Sequence, residues 1–405
     1  MSKIKRWTRP RHRLARNVLE PLMASWAWLI YGCKPKPFRA EGDRAYLILF
    51  NHQTMFDQFF IGLSFKDPVY FLGTEDLFSM GLISSLMRFF LAPIPYRKQT
   101  SDVAALRNCM RIAREGGNIA IAPEGNMTYS GKTETIRTSI AGLAKALKLP
   151  IALYRIEGGF GVQPRWGNTA RKGKVRAFVS QVIEHKEYKN LSDGELYEII
   201  RDGLNVNDCQ EGKGRYRSPK RAEYLERSAY YCPWCGLSSF HSEGNMITCV
   251  KCGRTVEYGE DLQLRGVGCD FPYRWYTDWY DAQENYIRAI DLSKYLEIPA
   301  YRETVDMYEV ILYKRKYLLR RKTELALYGD RMVLDEGKKN ELTLPFGELA
   351  GTALQMRNKL NLNTKDGAVY QIRGNRRFNP AKYINFYYHY LYISGDTEQG
   401  DYLGF

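Results

Sequence analysis

The 405-residue chain has no apolar run of the roughly 20 residues that a membrane-spanning helix needs. The best candidate, Leu22-Met23-Ala24-Ser25-Trp26-Ala27-Trp28-Leu29-Ile30-Tyr31, is about half that length and is followed by no small-residue cleavage site, which argues against a secretory signal. There is no internal repeat and no low-complexity tract, so neither a solenoid nor a disordered tail is expected. The first seventeen residues contain no acid, yet carry Lys3, Lys5, Arg6, Arg9, Arg11, Arg13 and Arg16. A basic arm ahead of a Trp-bearing helix suits the headgroup layer of an anionic membrane. The bland alternative is an ordinary packed helix. The formal charge of +15 points to an anionic partner, whether lipid headgroups, a phosphorylated or CoA-bearing substrate, or nucleic acid.

Aromatic residues make up 14% of the chain, which serves core packing as readily as an interface. Of the eight cysteines, Cys33, Cys109, Cys209 and Cys269 are scattered. The other four form Cys232-Pro-Trp-Cys235-Gly and Cys249-Val-Lys-Cys252-Gly. Two such knuckles have the spacing of a tetrahedral four-cysteine site, so the expectation is structural zinc in a reducing compartment, with an iron–sulfur or redox role as the alternative. A site filled by four thiolates leaves no open position for catalysis. The surrounding module, 228–258, resembles a zinc ribbon. His241 between the knuckles is expected to be a loop residue. No RNA-binding signature accompanies it, so nucleic acid is disfavoured and a protein partner is the better expectation.

Further order comes from the pattern of apolar runs. Residues 45–50, 69–73, 119–122, 151–156 and 174–183 read as strands. Residues 102–115, behind a Ser101 cap, 135–147 and 192–204, with a Ser192/Glu195 capping box, read as helices. Buried strands alternating with helices predict an α/β domain with a largely parallel sheet flanked by helices over 40–208. Residues 1–39 form the basic, interfacial N-terminal region and 209–227 a basic linker. From about 300 to 398 short strands with hairpin turns at Gly329-Asp330 and Lys365-Asp366-Gly367 precede a terminal helix. That pattern resembles a PH-like domain, and such a domain implies lipid or partner binding; the runs Lys314-Arg315-Lys316 and Arg320-Arg321-Lys322 face anionic lipid or simply water.

The strand ending at Phe50 runs into Asn51-His52-Gln53-Thr54-Met55-Phe56-Asp57. Catalytic groups of α/β domains gather at the carboxyl ends of strands. A histidine there can act as a general base, and a carboxylate five residues on can fix its tautomer. Taken alone, His-x4-Asp is more often a buried histidine bonded to backbone. Three further pieces follow in order: Arg97-Lys98 after an apolar stretch, Pro123-Glu124-Gly125-Asn126-Met127 at another strand exit, and Pro150-Ile151 opening the next strand.

Across residues 20–205 these four pieces resemble the lysophosphatidate acyltransferase family of glycerolipid acyltransferases. The resemblance implies His52 as base for the acceptor hydroxyl, Asp57 as its partner and Arg97 as a grip on the acceptor phosphate. It also implies Glu124 and Gly125, with Asn126 beside them, shaping the acceptor pocket. The donor it implies is acyl-CoA or acyl carrier protein, and the acceptor a lysolipid, first of all 1-acylglycerol-3-phosphate. The expected location is the cytoplasmic face of a membrane, peripheral or monotopic. The family's Thr-Arg after Glu-Gly is replaced by Asn126-Met127, and a methionine cannot pair with phosphate. Lys98, Lys132 or Arg137 could supply the missing cation; otherwise the acceptor is a different lipid. The rival to an enzyme is a catalytically silent, membrane-associated scaffold.

Overall fold

The structure is a computed structural model that describes residues 6–96, 103–210, 214–311 and 313–396. It divides into two compact units, Met1–Pro164 with Ala170–Tyr216, and Arg165–Thr169 with Arg217–Phe405.

The first unit opens with helix α1 (Pro10–Tyr31), followed by β1 (Leu47–Phe50), α2 (Asp57–Ser64), β2 (Val69–Gly73), α3 (Glu75–Phe78) and α4 (Leu82–Phe90). Next come β3 (Ile94–Pro95), α5 (Val103–Arg114), β4 (Asn118–Ile121), α6 (Ser139–Leu147), β5 (Ile151–Glu157) and α7 (Gly159–Val162). The unit ends with β6 (Arg176–Ile183), α8 (His185–Tyr188) and α9 (Asp193–Leu204). Its sheet runs β3-β2-β4-β1-β5-β6. Every neighbouring pair is parallel except β5 with β6, so the largely parallel sheet carries one antiparallel edge.

β1 lies at the centre, Leu47 opposite Ile119 of β4 and Ile151 of β5. All four of its residues are buried, as expected of a strand covered on both faces. Leu47, Leu49, Ile119, Ile121, Ile151 and Leu153 join one apolar cluster with Ile112 of α5, Ala144 of α6 and Ile200 of α9. On β5 the alternate residue Tyr154 reaches α2, donating its hydroxyl to the Phe60 carbonyl at 3.0 Å. The period of two along each strand thus feeds helices on both faces.

The Ser192/Glu195 capping box forms, with the Ser192 N–H donating to Glu195 Oε2 at 2.7 Å and the Glu195 N–H returning to Ser192 Oγ at 3.2 Å. Helix α6 starts at Ser139, four residues later than the pattern predicts, and ahead of it Thr133 and Glu134 donate their N–H groups to Val206 and Glu124. Helix α1 begins at Pro10, inside the basic arm, and Pro occupies its first turn, where an N–H would be unpaired anyway. Its two tryptophans differ. Trp26 packs edge-on against Phe56 and Phe59 of the α2 region, whereas Trp28 is exposed. No described helix is long and apolar enough to cross a membrane.

The second unit contains the hairpin β7 (Tyr231–Cys232) and β8 (Gly236–Leu237), then β9 (Phe240–Glu243), β10 (Met246–Cys249), β11 (Thr255–Tyr258) and β12 (Leu264–Val267). The last four form an antiparallel sheet in the order β12-β11-β10-β9. Helix α10 (Tyr276–Ala289) leads into β13 (Tyr301–Glu309), β14 (Tyr317–Leu327), β15 (Arg331–Leu334), β16 (Leu342–Pro345), β17 (Leu349–Gln355), β18 (Lys359–Thr364) and β19 (Val369–Arg373). These seven make an antiparallel sheet ordered β16-β15-β14-β13-β19-β18-β17. Both hairpins read from the sequence are present, β14 with β15 and β18 with β19. The chain then enters α11 (Ala381–Ile393), whose residues from Ala381 to His389 are all buried. Even Lys382 is enclosed, its ammonium 2.8 Å from Glu303 Oε2 and 4.0 Å from the Tyr301 ring centroid.

Candidate functional site

Three strand exits meet around His52. At the first, Asn51 leaves β1 and pairs with one residue of β5, its side-chain amide donating to the Ile156 carbonyl and its oxygen accepting the Ile156 N–H, both at 2.8 Å. This pair of hydrogen bonds fixes the backbone just before the histidine. The loop then folds back so that His52 Nδ1 lies 2.8 Å from Asp57 Oδ2, at the start of α2.

Asp57 is fully buried. Its oxygens accept the N–H of Gln53 at 2.7 Å, the N–H of Thr54 at 2.9 Å and the Thr54 hydroxyl at 2.7 Å. A carboxylate held by donors alone leaves the imidazole only the donor role at Nδ1. In the neutral tautomer that donates from Nδ1, the lone pair is on Nε2. The His52 side chain is 27% exposed, so this ring can meet a substrate while its partner stays dry.

At the second exit, after β4, Glu124 is buried and takes two backbone donors: the His52 N–H on Oε1 and the Glu134 N–H on Oε2, both at 2.7 Å. Burial raises its carboxyl well above the usual range, while the N–H groups of Glu134 and His52 pull it back. Glu124 thus acts on the His52 loop through the backbone. Gly125 follows at φ +69°, a left-handed conformation that suits glycine, with its N–H donating to the Ala122 carbonyl. The His52 carbonyl accepts the Thr128 N–H at 2.9 Å, closing the loop pair.

The third exit follows β5. Gly158 and Phe160 donate their N–H groups to Asp208 at 2.8 and 3.0 Å, and the Phe160 N–H also reaches Gln53 Oε1 at 3.2 Å. A Cβ on Gly159 would stand 2.6 Å from that of Gln53, so α7 can approach the histidine loop only with glycine there. Burial pushes the Asp208 carboxyl up to about 7 against the opposing pull of those N–H groups.

The structure brings His52, Asp57, Glu124 and Gly125 together. Asn126 and Met127, both uncharged, are buried in the same turn. Lys132 and Arg137 are half-buried. The Arg137 N–H lies 3.4 Å from the Pro123 carbonyl, which ties that residue to the Glu124 turn. Arg97 and Lys98 lie outside the described residues. Asn51, Glu134 and Asp208 belong to this bracing; Asn51 stands in the motif read from the sequence, whereas Asp208 acts through backbone groups about 50 residues away and has no local signal.

The residues of this site lie within one compact stretch, apart from Asp208. Residues 34–156 match the family model described as Acyltransferase. That stretch holds β1 to β5 and with them His52, Asp57 and Glu124. Among solved structures the chain is similar to the 1-acyl-sn-glycerophosphate acyltransferase PlsC of Thermotoga maritima, with 21% identity and a TM-score of 0.41, over 49% of this chain and 80% of that one. No curated protein matches the chain.

In the second unit the Sγ atoms of Cys232, Cys235, Cys249 and Cys252 all lie within 4.8 Å of one another, a group that could hold a metal ion. Backbone turns bring the pairs together, with the Cys235 N–H on the Cys232 carbonyl at 3.2 Å and the Gly253 N–H on the Cys249 carbonyl at 2.9 Å. His241 stands exposed on β9 and is not part of that cluster. None of the eight cysteines is joined in a disulfide.

Proposed function

We propose that the first unit transfers an acyl group from a thioester donor, acyl-CoA or acyl carrier protein, to a hydroxyl of a lysophospholipid. The first acceptor to consider is 1-acylglycerol-3-phosphate, which would give phosphatidate. The carrying observation is the His52–Asp57 pair, with Nδ1 committed to a carboxylate that also accepts three further donors, on a ring that is 27% exposed. In this reading Nε2 removes the acceptor hydroxyl proton as the oxygen attacks the thioester carbonyl. The tetrahedral intermediate collapses, the C–S bond breaks, and the departing thiolate recovers the proton from His52. The acceptor becomes an ester and the donor a free thiol. Asp57 stabilises the imidazolium between the two transfers.

Acceptor phosphate needs cations, and Met127 is buried where the resembled family has arginine. Arg97, Lys98, Lys132 and Arg137 are the basic residues assigned to that grip, with Gly125 and Asn126 forming the turn beside it. The competing reading, a silent scaffold, draws on the same methionine.

The four thiolates of the second unit suit zinc. A Zn–S bond of about 2.3 Å gives a tetrahedral edge of about 3.8 Å, and Cys232 Sγ lies 3.8 Å from Cys252 Sγ. With four protein ligands such an ion is structural and leaves chemistry to the first unit. The antiparallel sheet ending in α11 is the support for a PH-like module near the C-terminus, which would bind lipid or a protein partner.

The test is transfer from labelled acyl-CoA to a panel of lysolipids by the wild type and His52→Ala. Transfer to lysophosphatidate that vanishes in the variant supports the whole reading. Transfer only to acceptors without a phosphomonoester redirects the acceptor. Absence of transfer from acyl-CoA and from acyl carrier protein alike leaves the scaffold.

A further inference from the structure

A helix on a globular surface ordinarily turns its apolar side to the core. Helix α4 does the reverse. Leu82 is 74% exposed, Ile83 58%, Leu86 50% and Phe89 50%. At 3.6 residues per turn these four fall within about 120° of one another around the axis. The helix's one buried residue is Ser84, on the other side, whose hydroxyl donates to the Leu77 carbonyl at 2.6 Å and accepts the Met80 N–H at 2.8 Å. The one residue the helix buries is thus small and polar, while its apolar stripe faces outward.

The reversal continues onto α1. Arg11 donates to the Phe89 carbonyl at 2.8 Å, and its guanidinium lies 3.9 Å from the Phe89 ring centroid. From Arg11 the exposed residues Leu14, Val18 and Leu22 follow within about 60° of the same line along α1. The result is one outward apolar surface shared by two touching helices, with an arginine at the seam.

We infer that this α1–α4 surface docks on an anionic lipid bilayer. The charge pattern favours lipid over protein. α4 contains no acidic residue, and its one charged side chain, Arg88, is exposed. The stretch from Arg6 to Arg39 has Glu20 as its sole acid, and that carboxylate is paired with Arg16. Leucines and phenylalanines can sink to the acyl boundary while guanidinium groups remain at the phosphate level. At the far end of α1 the exposed Trp28, with Lys34 5.9 Å over its ring, repeats that pairing of indole and cation. The inference deepens the lipid-acyltransferase reading, on which it rests for its setting, by naming the face through which the enzyme meets its substrate's membrane.

The test is co-sedimentation of the full chain with phosphatidylglycerol vesicles and with phosphatidylcholine vesicles, all on the His52→Ala background. The partner variant adds Leu86→Glu and Phe90→Glu, both at exposed positions, with its fold checked by circular dichroism and melting. The expected result is pelleting with phosphatidylglycerol that falls at least about tenfold in the variant and is weaker throughout on phosphatidylcholine. Three results overturn the inference: equal pelleting of parent and variant, no pelleting of the parent, or light scattering that shows a dimer which the variant turns into monomer. The last would make a second copy the occupant. Sedimentation does not need turnover, so vesicle binding without acyl transfer by the wild type sinks only the catalytic reading. Transfer to a soluble short-chain acceptor without vesicle binding sinks only this one.

Discussion

Glu124 holds His52 by the backbone and not by the ring, accepting its N–H at 2.7 Å while the imidazole turns to Asp57. The second oxygen of Glu124 performs the same service for Glu134. Glu124→Ala would leave two buried N–H groups unpaired, each costing roughly 1–3 kcal/mol. The melting temperature should fall accordingly. Glu124→Gln retains one acceptor oxygen, so it should lose less stability than Glu124→Ala, with kcat dropping and KM for the acceptor nearly constant. A rise in KM with unchanged kcat would instead mean that Glu124 touches the acceptor.

Asp57→Asn should reduce kcat by on the order of 10²–10⁴-fold, the range attached to a displaced general base. The amide would turn a donor towards N–H groups or towards Nδ1, and either outcome disturbs the tautomer. Stopped-assay rates with a saturating acceptor would check this, and a change of less than a few-fold would remove Asp57 from the mechanism.

Asp208 gives a pH signature. Its carboxyl, pushed up to about 7 by burial, keeps its proton in the folded chain well above an ordinary aspartic acid at about 3.9. The stability this protonation contributes is fully present below about pH 4 and is lost as pH rises through 7. Asp208→Asn has no such proton to lose. Melting temperatures of the two proteins should therefore shift relative to each other, in the variant's favour, between pH 4 and pH 8. A gap independent of pH would show that Asp208 does not titrate in this window.

Removal of the metal tests the four thiols. Elemental analysis of protein purified without chelator should find stoichiometric zinc, and Cys249→Ser should lose it. Chelation should lower a melting transition of the second unit, since a structural site contributes its binding free energy to folding. Iron in the purified protein would select the iron–sulfur alternative.

Much of the first unit was legible because its central strands are short, continuous apolar runs, and Leu47–Phe50 and Ile151–Glu157 fall where the pattern predicts. The pair His52 and Asp57 was legible too, through local spacing at a strand exit. The inward bracing was not. Asn51 meets Ile156 and Glu124 meets His52 only through pairing of distant strands, which no local pattern encodes. Strand β3, two residues long, gives no periodic signal. Helix α10 went unread because Tyr276–Ala289 mixes aromatic and charged residues without an evident apolar stripe, although Tyr276, Trp279, Gln283 and Ile287 turn out to share its buried side. The apolar stripe of α4 reads like core, and only the structure reveals that it faces out.

The sheet order has a consequence in time as well as in space. Since β1 sits between β4 and β5, the His52 loop is gripped by groups on β5 and just past β4, one about 70 residues and one about 105 residues along the chain. No fragment of the sequence can arrange His52 by itself. Distant pairings of this kind are closed slowly during folding. During refolding, then, helical signal should return ahead of catalytic competence, and the appearance of turnover would mark the moment when the last of the three central strands has found its register.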